Sequence, residues 1–576
     1  MKQEVSLRQV PYGEASFEIL RSLDYAYVDK TSYIALLEKY YSRFPFIVRP
    51  RRFGKSLFAN MLMAYYDRAA LPQFKKNFKG TWIGEHPTPL ANQYLVLKFD
   101  FSGIDDGDGL IQNFITKVRS GLRKFATRYL KGDPDMAALL RDSYASPSAL
   151  LSDALDFIES RFEEKIYLII DEYDQFAHEI LSNDPKKFHQ ITSKQGFLKN
   201  FYTTIKEQSQ SVIARTFITG VTSISLDSMT SGFNVATNIT NEPEFAGMMG
   251  FTDEELRRLI PQVVDLKRCP VSTEKIFSRM KKLYDGYRFS ADSDITVFNP
   301  SMCLYYLNAL ANKQKEPSIL LDPSFSLDLS KIDGILSLGS RDFVERIVRN
   351  VLFDKPVSLD TLSPTINLQT TGKLSKENVL TVLAFMGFLT FAPDDANHLI
   401  CPNQAVKEQF FRFWFQRICR FENPALPEKD LKSARASLET GDVRPLLRFI
   451  STLLGKSAGT HVHSHLNETA IQLAALMTMS TSDTYQATAE EEALGAGFTD
   501  LVLRPRKEHP EAAGWVIEFK YLKAGEKSDA SVAAKLNEAV AQLERYTNAT
   551  NIASIANLHR AAAVFAGTEL RALKTF

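Results

Sequence analysis

The stretch RPRRFGKSL, Arg49 to Leu57, holds the groups that would grip a phosphate. A lysine reaches the outer phosphates of a nucleotide, the hydroxyl after it binds Mg2+, and the N–H groups at a helix start point at the anion. Gly54, Lys55 and Ser56 supply the end of that arrangement, but the G-x-x-x-x-G-K-[ST] spacing asks for glycine where Arg49 stands. A second set comes from IYLIIDEYDQ, an apolar run ending in Asp171 and Glu172. An acid at such a strand end holds Mg2+ through its waters, and the next acid can polarise an attacking water. Strand, Gly-Lys-Ser, helix, strand and Asp-Glu, in this order, point to an ATP site. Thr219 and Thr222, in ARTFITGVTSIS, fall where a polar residue would meet the γ-phosphate. Threonine is also common in strands for packing alone.

A second cluster lies near the other end, in GAGFTDLVLRP followed by GWVIEFKYLK. Residues two apart on a strand share a face, so Glu518 and Lys520 point together while Phe519 points away. If the two segments form a hairpin, Asp500 joins them. Two carboxylates can bind a divalent ion that lowers the pKa of water, and the lysine can orient the nucleophile or the phosphate. Any hairpin can carry such residues by chance. Support comes from Glu468 on the helical pattern LNETAIQLAALM, and from Gln542 and Tyr546, four apart on one face of the last helical pattern. His461, His463 and His465 alternate without an acidic or cysteine ligand at metal-site spacing, so they read as one side of an extended linker.

The elements that must position these groups follow from periodicity. FPFIV, YLVLKFDF, IYLII and RTFIT are apolar runs spaced by helical stretches, the pattern of buried strands in a parallel sheet. Past Ser225, Thr252 and Glu255 form a capping-box pattern that opens a helix. Residues 340 to 406 hold two amphipathic helical patterns and a strand pair around a DDAN turn, a winged-helix-like order. The expected fold is a multidomain α/β chain. Its parts are a P-loop core with a parallel sheet over 1–230, a helical lid over 231–330, a winged-helix-like domain over 331–425, a helical linker over 426–460, and an α/β domain over 461–576 with a strand hairpin followed by a helix, which its resemblance to the PD-(D/E)XK nuclease superfamily implies is restriction-endonuclease-like.

From about residue 8 to 310 the chain resembles the predicted AAA-ATPase-like family of bacterial proteins. The matching words are RPRRFGKSL, preceded by VDKTSYI, then IIDEYDQ, TGVTSIS, YDGYRFS and VFNPSMCLYYL. The missing first glycine is that family's habit. The resemblance implies ATP and Mg2+ held by Lys55, Ser56 and Asp171, with Glu172 as the water-activating acid. Arg49, Arg51 and Arg52 then either neutralise phosphate charge in place of the lost loop geometry or face solvent and local salt bridges. Arg288, in YDGYRFS, is either a lid arginine sensing the γ-phosphate or a lid-surface charge. From Val462 to Tyr546 the chain resembles the PD-(D/E)XK nuclease superfamily, which implies Mg2+ or Mn2+ held by Asp500 and Glu518 with Glu468, a catalytic Lys520 and an accessory Gln542. One departure is that the family's frequent Gly-Arg before the aspartate is Phe498-Thr499 here.

Composition sets limits. The formal net charge of +1 excludes a generally basic nucleic-acid binder. From His461 onward 11 Lys and Arg stand against 14 Asp and Glu, so DNA or RNA phosphates would need cations from elsewhere, such as Arg341, Arg346, Arg349 and Lys373. No apolar run is long enough for a bilayer span, and four scattered cysteines argue against a disulfide framework, so a cytosolic setting without a membrane is expected. The combined reading is an ATPase coupled to a metal-dependent nuclease. The alternative is an ATP-dependent switch whose inactive nuclease-like domain binds nucleic acid or a protein.

Overall fold

The computed structural model describes residues 7–40, 43–104, 109–175, 196–222, 233–317, 320, 322, 336, 338–360, 362, 374–393, 395–413, 428–457, 467–480, 482–493, 497–523, 525–526, 528–546 and 549–576. The chain divides into two compact units, Met1–Val344 with Pro356–Asn403 and Glu345–Lys355 with Gln404–Phe576. Among the described residues no helix is long and apolar enough to cross a membrane.

The first unit is built on a parallel sheet of β1 (Pro45–Val48), β2 (Leu95–Asp100), β3 (Ile166–Asp171), β4 (Ile213–Gly220) and β5 (Thr237–Asn238). The strand order is β2-β3-β4-β1-β5. The four apolar runs of the sequence are β1 to β4. Every residue of β1 and β3 is buried, which explains runs that are continuous rather than alternating. Parallel register aligns Asp100 with Asp171 and Val48 with Gly220, so the strands end together at the edge where an α/β sheet takes its ligand. The helix Lys55–Tyr66 packs on β3, and the helix Leu110–Tyr129 packs on β2.

Past β5 come the helices Asp253–Val263, Thr273–Tyr284 and Pro300–Lys313. The expected capping box is present, with Thr252 N–H on Glu255 Oε2 at 2.8 Å and Glu255 N–H on the Thr252 hydroxyl at 3.4 Å. Asn299 caps the last helix, and Pro300 occupies its first turn, where no N–H donor is needed. Then β6 (Val357–Ser358), the helix Lys376–Phe385, β7 (Thr390–Phe391) and β8 (His398–Ile400) form a helix and a small antiparallel sheet ordered β6-β8-β7. The sequence showed the β7–β8 pair but not β6.

The second unit carries a mixed sheet ordered β13-β12-β11-β10-β9. Its strands are β9 (Tyr485–Ala493), β10 (Gly497–Pro505), β11 (Gly514–Leu522), β12 (Leu558–Ala566) and β13 (Glu569–Thr575). The expected hairpin is β10–β11, antiparallel, with Leu501 opposite Ile517 and Val502 opposite Val516. Helix Asp529–Tyr546 packs over the sheet through Ala539, Leu543 and Tyr546. As the central strand, β11 is buried at every position except Tyr521, so its charged residues must satisfy one another.

Candidate functional site

The loop between β1 and the helix Lys55–Tyr66 turns on two left-handed residues, Arg52 with φ 69° and Gly54 with φ 89°. Glycine meets that requirement without Cβ strain at the helix start. Lys55, almost fully buried, donates from Nζ to Arg49 O at 3.1 Å and Pro50 O at 3.2 Å, and lies 3.7 Å from Glu172 Oε1. The ammonium is therefore held by carbonyls of the loop that would cradle a phosphate. Ser56 follows on the first helical turn.

At the end of β3, Asp171 is buried with Oδ1 unpartnered and Oδ2 3.5 Å from Lys98 Nζ. Burial raises the Glu172 pKa, opposed by the Lys55 ammonium. Its Oε2 is also buried without a partner. Two such orphaned oxygens are what a hydrated divalent ion would satisfy, so the donor set fits Mg2+. The hydroxyl of Thr219 on β4 is a third buried polar group without a partner.

Lys55, Ser56, Gly54 and Glu172 open onto a cavity of about 300 Å³. Its lining also includes the apolar or aromatic Tyr27, Met61, Met248, Met249, Phe251 and Leu304, with Lys30 and Glu14 among them. A lining that combines charged groups with methionines and aromatics suits a ligand with an anionic part and a flat apolar part.

Two of the sequence-derived phosphate contacts lie elsewhere. Arg49 is 1% exposed, and its guanidinium donates to Val48 O at 2.9 Å, Thr240 O at 2.6 Å and Phe245 O at 3.0 Å while lying over the Phe289 ring. Neither a phosphate contact nor a solvent-facing charge describes it. Arg49 pins the loop to the chain after β5, and burial pulls its pKa down. Arg288 donates to Ser293 O and Asp294 Oδ1, and it lines a small cleft beside Arg49 and Pro50 rather than the large cavity. Neither a γ-phosphate sensor nor a surface charge fits that buried place. Thr222 is bound to Asp174. Arg52 lines the cavity, 3.5 Å from Asp322 Oδ2. The YDGYRFS word serves the loop from behind: Phe53 packs edge-on against Tyr287 at 4.8 Å and Phe289 at 5.2 Å.

In the second unit, Asp500 stands on β10 and Glu518 on β11, one register step beyond the Leu501–Ile517 pair. Asp500 accepts from Phe519 N–H at 2.6 Å through Oδ2 and from Gln472 Nε2 through Oδ1. Glu518 is 2% exposed, with Oε1 3.1 Å from Lys520 Nζ and Oε2 unpartnered. Burial pushes Asp500 up to about 6. Burial and the Asp500 carboxylate push Glu518 up to about 8. Burial works against the Lys520 charge, but Glu518, Glu468 and Asp500 outweigh it and raise that pKa. Carboxylates held away from ionisation, one with an orphaned oxygen, fit a divalent cation.

Glu468 belongs to the same cluster, close enough to help raise the Asp500 pKa. Its Oε1 faces Tyr521 N–H at 3.4 Å and Lys520 Nζ at 3.8 Å. Among the described residues no three His, Cys, Asp or Glu side chains group to hold one ion. Gln542 keeps a buried Oε1 without a partner, and Tyr546 donates to Phe498 O at 2.8 Å. Burial, with the carboxylates of Glu518 and Asp500, pushes Tyr546 up to about 12. His461, His463, His465 and Lys373 lie outside the described residues, as does the side chain of Arg341. Arg346 and Arg349 fall on the helix Arg341–Leu352, in the stretch that belongs to the second unit.

Sequence reasoning missed Lys98, Asp174, the methionine walls and Gln472. Only Gln472 had a signal, standing one helical turn after Glu468.

Comparison with known proteins agrees with this division. Residues 11–230 match the family described as predicted AAA-ATPase, and residues 466–574 match the PD-(D/E)XK nuclease superfamily. A protein of Azotobacter chroococcum mcd 1, described as an uncharacterized protein in the vnfD 5'region, is 25% identical over 305 residues, 51% of this chain and 51% of that protein. The chain thus spans about half the length of the curated relative it matches.

Proposed function

We propose that this chain, which joins an AAA-ATPase-like domain to a PD-(D/E)XK nuclease-superfamily domain, is an Mg2+-dependent ATPase coupled to a metal-dependent nuclease acting on DNA or RNA phosphodiesters. The observation that carries the ATP reading is the cavity of about 300 Å³ lined by Lys55, Ser56 and Glu172 together with Met61, Met248, Met249 and Phe251. Adenine and ribose lie against the methionine and aromatic part of that lining. Lys55 exchanges the carbonyls of Arg49 and Pro50 for phosphate oxygens, and the N–H groups at the helix start face the same anion. Ser56 and Asp171 hold Mg2+, which supplies neutralisation of phosphate charge. Glu172 accepts the proton of the attacking water, a task its raised pKa suits. The helices between 231 and 330 act as a lid.

At the second site Asp500 and Glu518 hold Mg2+ or Mn2+, which lowers the pKa of bound water when present. Lys520 orients the nucleophile or the scissile phosphate, and Gln542 assists from the neighbouring helix. The winged-helix-like part, 331–425, and the linker, 426–460, connect the two. Cys269, Cys303 and Cys401 carry free thiols, which suits a reducing cytosol.

The test is paired. ATP binding and turnover are measured for the full chain and Lys55→Ala, and Mn2+- or Mg2+-dependent cleavage of DNA and RNA for the full chain and Glu518→Ala. Each variant should lose only its own activity. Retained nucleotide affinity in Lys55→Ala, or undiminished cleavage in Glu518→Ala, overturns the corresponding half.

A further inference from the structure

Glu172 has φ 53°, a left-handed backbone that glycine adopts freely and other residues adopt at a cost. The two residues after it are fastened to the next strand. Asp174, with no exposed surface, accepts from Val221 N–H at 3.0 Å, Thr222 N–H at 2.6 Å and the Thr222 hydroxyl at 3.0 Å. Tyr173 donates its N–H to Thr219 O at 3.2 Å and its hydroxyl to Thr222 O at 2.5 Å. Its ring meets Phe46 of β1 edge-on, with centroids 5.5 Å apart. Gly220 makes room for this contact. A Cβ there would stand 2.3 Å from Asp174 Oδ1 and 2.4 Å from Tyr173 Cδ1.

We infer that Asp174, Tyr173 and Gly220 form a clamp that joins the end of β4 to the turn after β3 and holds Glu172 in its left-handed conformation, with its carboxylate at the nucleotide cavity. The three are positioning residues for ATP hydrolysis. None of the three lines the cavity, so loosening the clamp displaces the water-activating carboxylate without removing a nucleotide contact. The effect on turnover rests on the role proposed for Glu172, whereas the effect on the backbone does not.

Two measurements on the full chain test this. In steady-state ATP hydrolysis and equilibrium binding of a fluorescent ATP analogue, Asp174→Asn and Gly220→Ala lower kcat on the order of 100-fold while KM and Kd stay within about 3-fold. Tyr173→Phe, which deletes one hydrogen bond, lowers kcat by about 5-fold. The second measurement compares melting of Glu172→Gly with Glu172→Ala. Only glycine relieves left-handed strain, so Glu172→Gly melts about 2 °C higher, and adding Asp174→Ala to both closes the gap. Equal melting of the two variants with Asp174 present, or a parallel loss of binding and turnover in Asp174→Asn and Gly220→Ala, overturns the clamp. If the unaltered chain binds no ATP, or Glu172→Gln hydrolyses it at the full rate, the ATPase reading fails instead, and the melting comparison still decides the clamp.

Discussion

The two units solve one problem, keeping acids beside a lysine inside a protein, with different charge balance. In the first, Asp171 and Glu172 stand near Lys55 and Lys98, with Arg51 and Asp174 close enough to act on Glu172 and Arg52 on the cavity wall beside Asp322. In the second, among the described residues, Asp500, Glu518 and Glu468 all act on the single ammonium of Lys520. The first site matches its acids with as many cations and suits a phosphate that arrives with Mg2+. The second is short of positive charge and suits a cation. The difference teaches the order of events expected at each: phosphate draws Mg2+ to the first site, whereas a metal must enter the second before a phosphodiester is attracted.

The largest expected effect is at the cation-seeking site. Glu518→Ala and Lys520→Ala should each lower metal-dependent cleavage by at least about 1,000-fold, read on a gel, with ATP binding unchanged. Lys520→Ala also leaves Glu518 and Glu468 without their shared counter-ion. It should therefore tighten divalent-metal binding even as cleavage is lost, and weaker metal binding would refute the proposed charge balance. At the anion-seeking site, Lys55→Ala should weaken ATP by about 100-fold in equilibrium binding, because one charge-assisted contact and the loop carbonyls' partner are lost together.

Acidity separates the sites next. Asp500 and Glu518 have pKa values raised above the ordinary carboxylate range, so the native second unit keeps protons that the unfolded chain releases. Its stability without metal should fall as pH rises from about 5 to 8, and metal should restore it. Lys520 stays charged through that window, since its pKa is raised. Calorimetric Mn2+ titration should show affinity rising about 10-fold per pH unit between 6 and 8, with proton release. A pH-independent affinity would mean that the pair is already ionised.

How far the sequence disclosed these sites depended on how local their parts are. Gly54, Lys55 and Ser56 are contiguous, Asp171 and Glu172 end one apolar run, and Asp500, Glu518 and Lys520 sit on one hairpin, so spacing drew attention to them and family resemblance supplied their expected roles. The strands β1 to β4 were legible because each is a continuous apolar run. The arginine-rich loop showed only its charge. The partners that give Arg49 its role, the carbonyls of Thr240 and Phe245, come 191 and 196 residues later. Lys98 and Asp174 act across neighbouring strands of a parallel sheet, whose order no local pattern reveals. Strands β12 and β13 follow the last long helix, past the residues whose chemistry drew attention.

The smallest effect sharpens the contrast within one loop. Arg51 is half exposed and acts on Glu172, so Arg51→Ala should weaken ATP by about 3-fold to 10-fold with no change in melting. Arg49→Lys should do the reverse. A lysine keeps the charge but lacks the planar fork that serves three carbonyls and lies over Phe289. The variant should lose about 2 to 3 kcal/mol of stability in denaturant melts, yet its folded molecules should bind ATP within about 2-fold of the unaltered chain. An affinity loss in Arg49→Lys larger than that in Arg51→Ala would return Arg49 to the phosphate, and the loop would then need a different anchor.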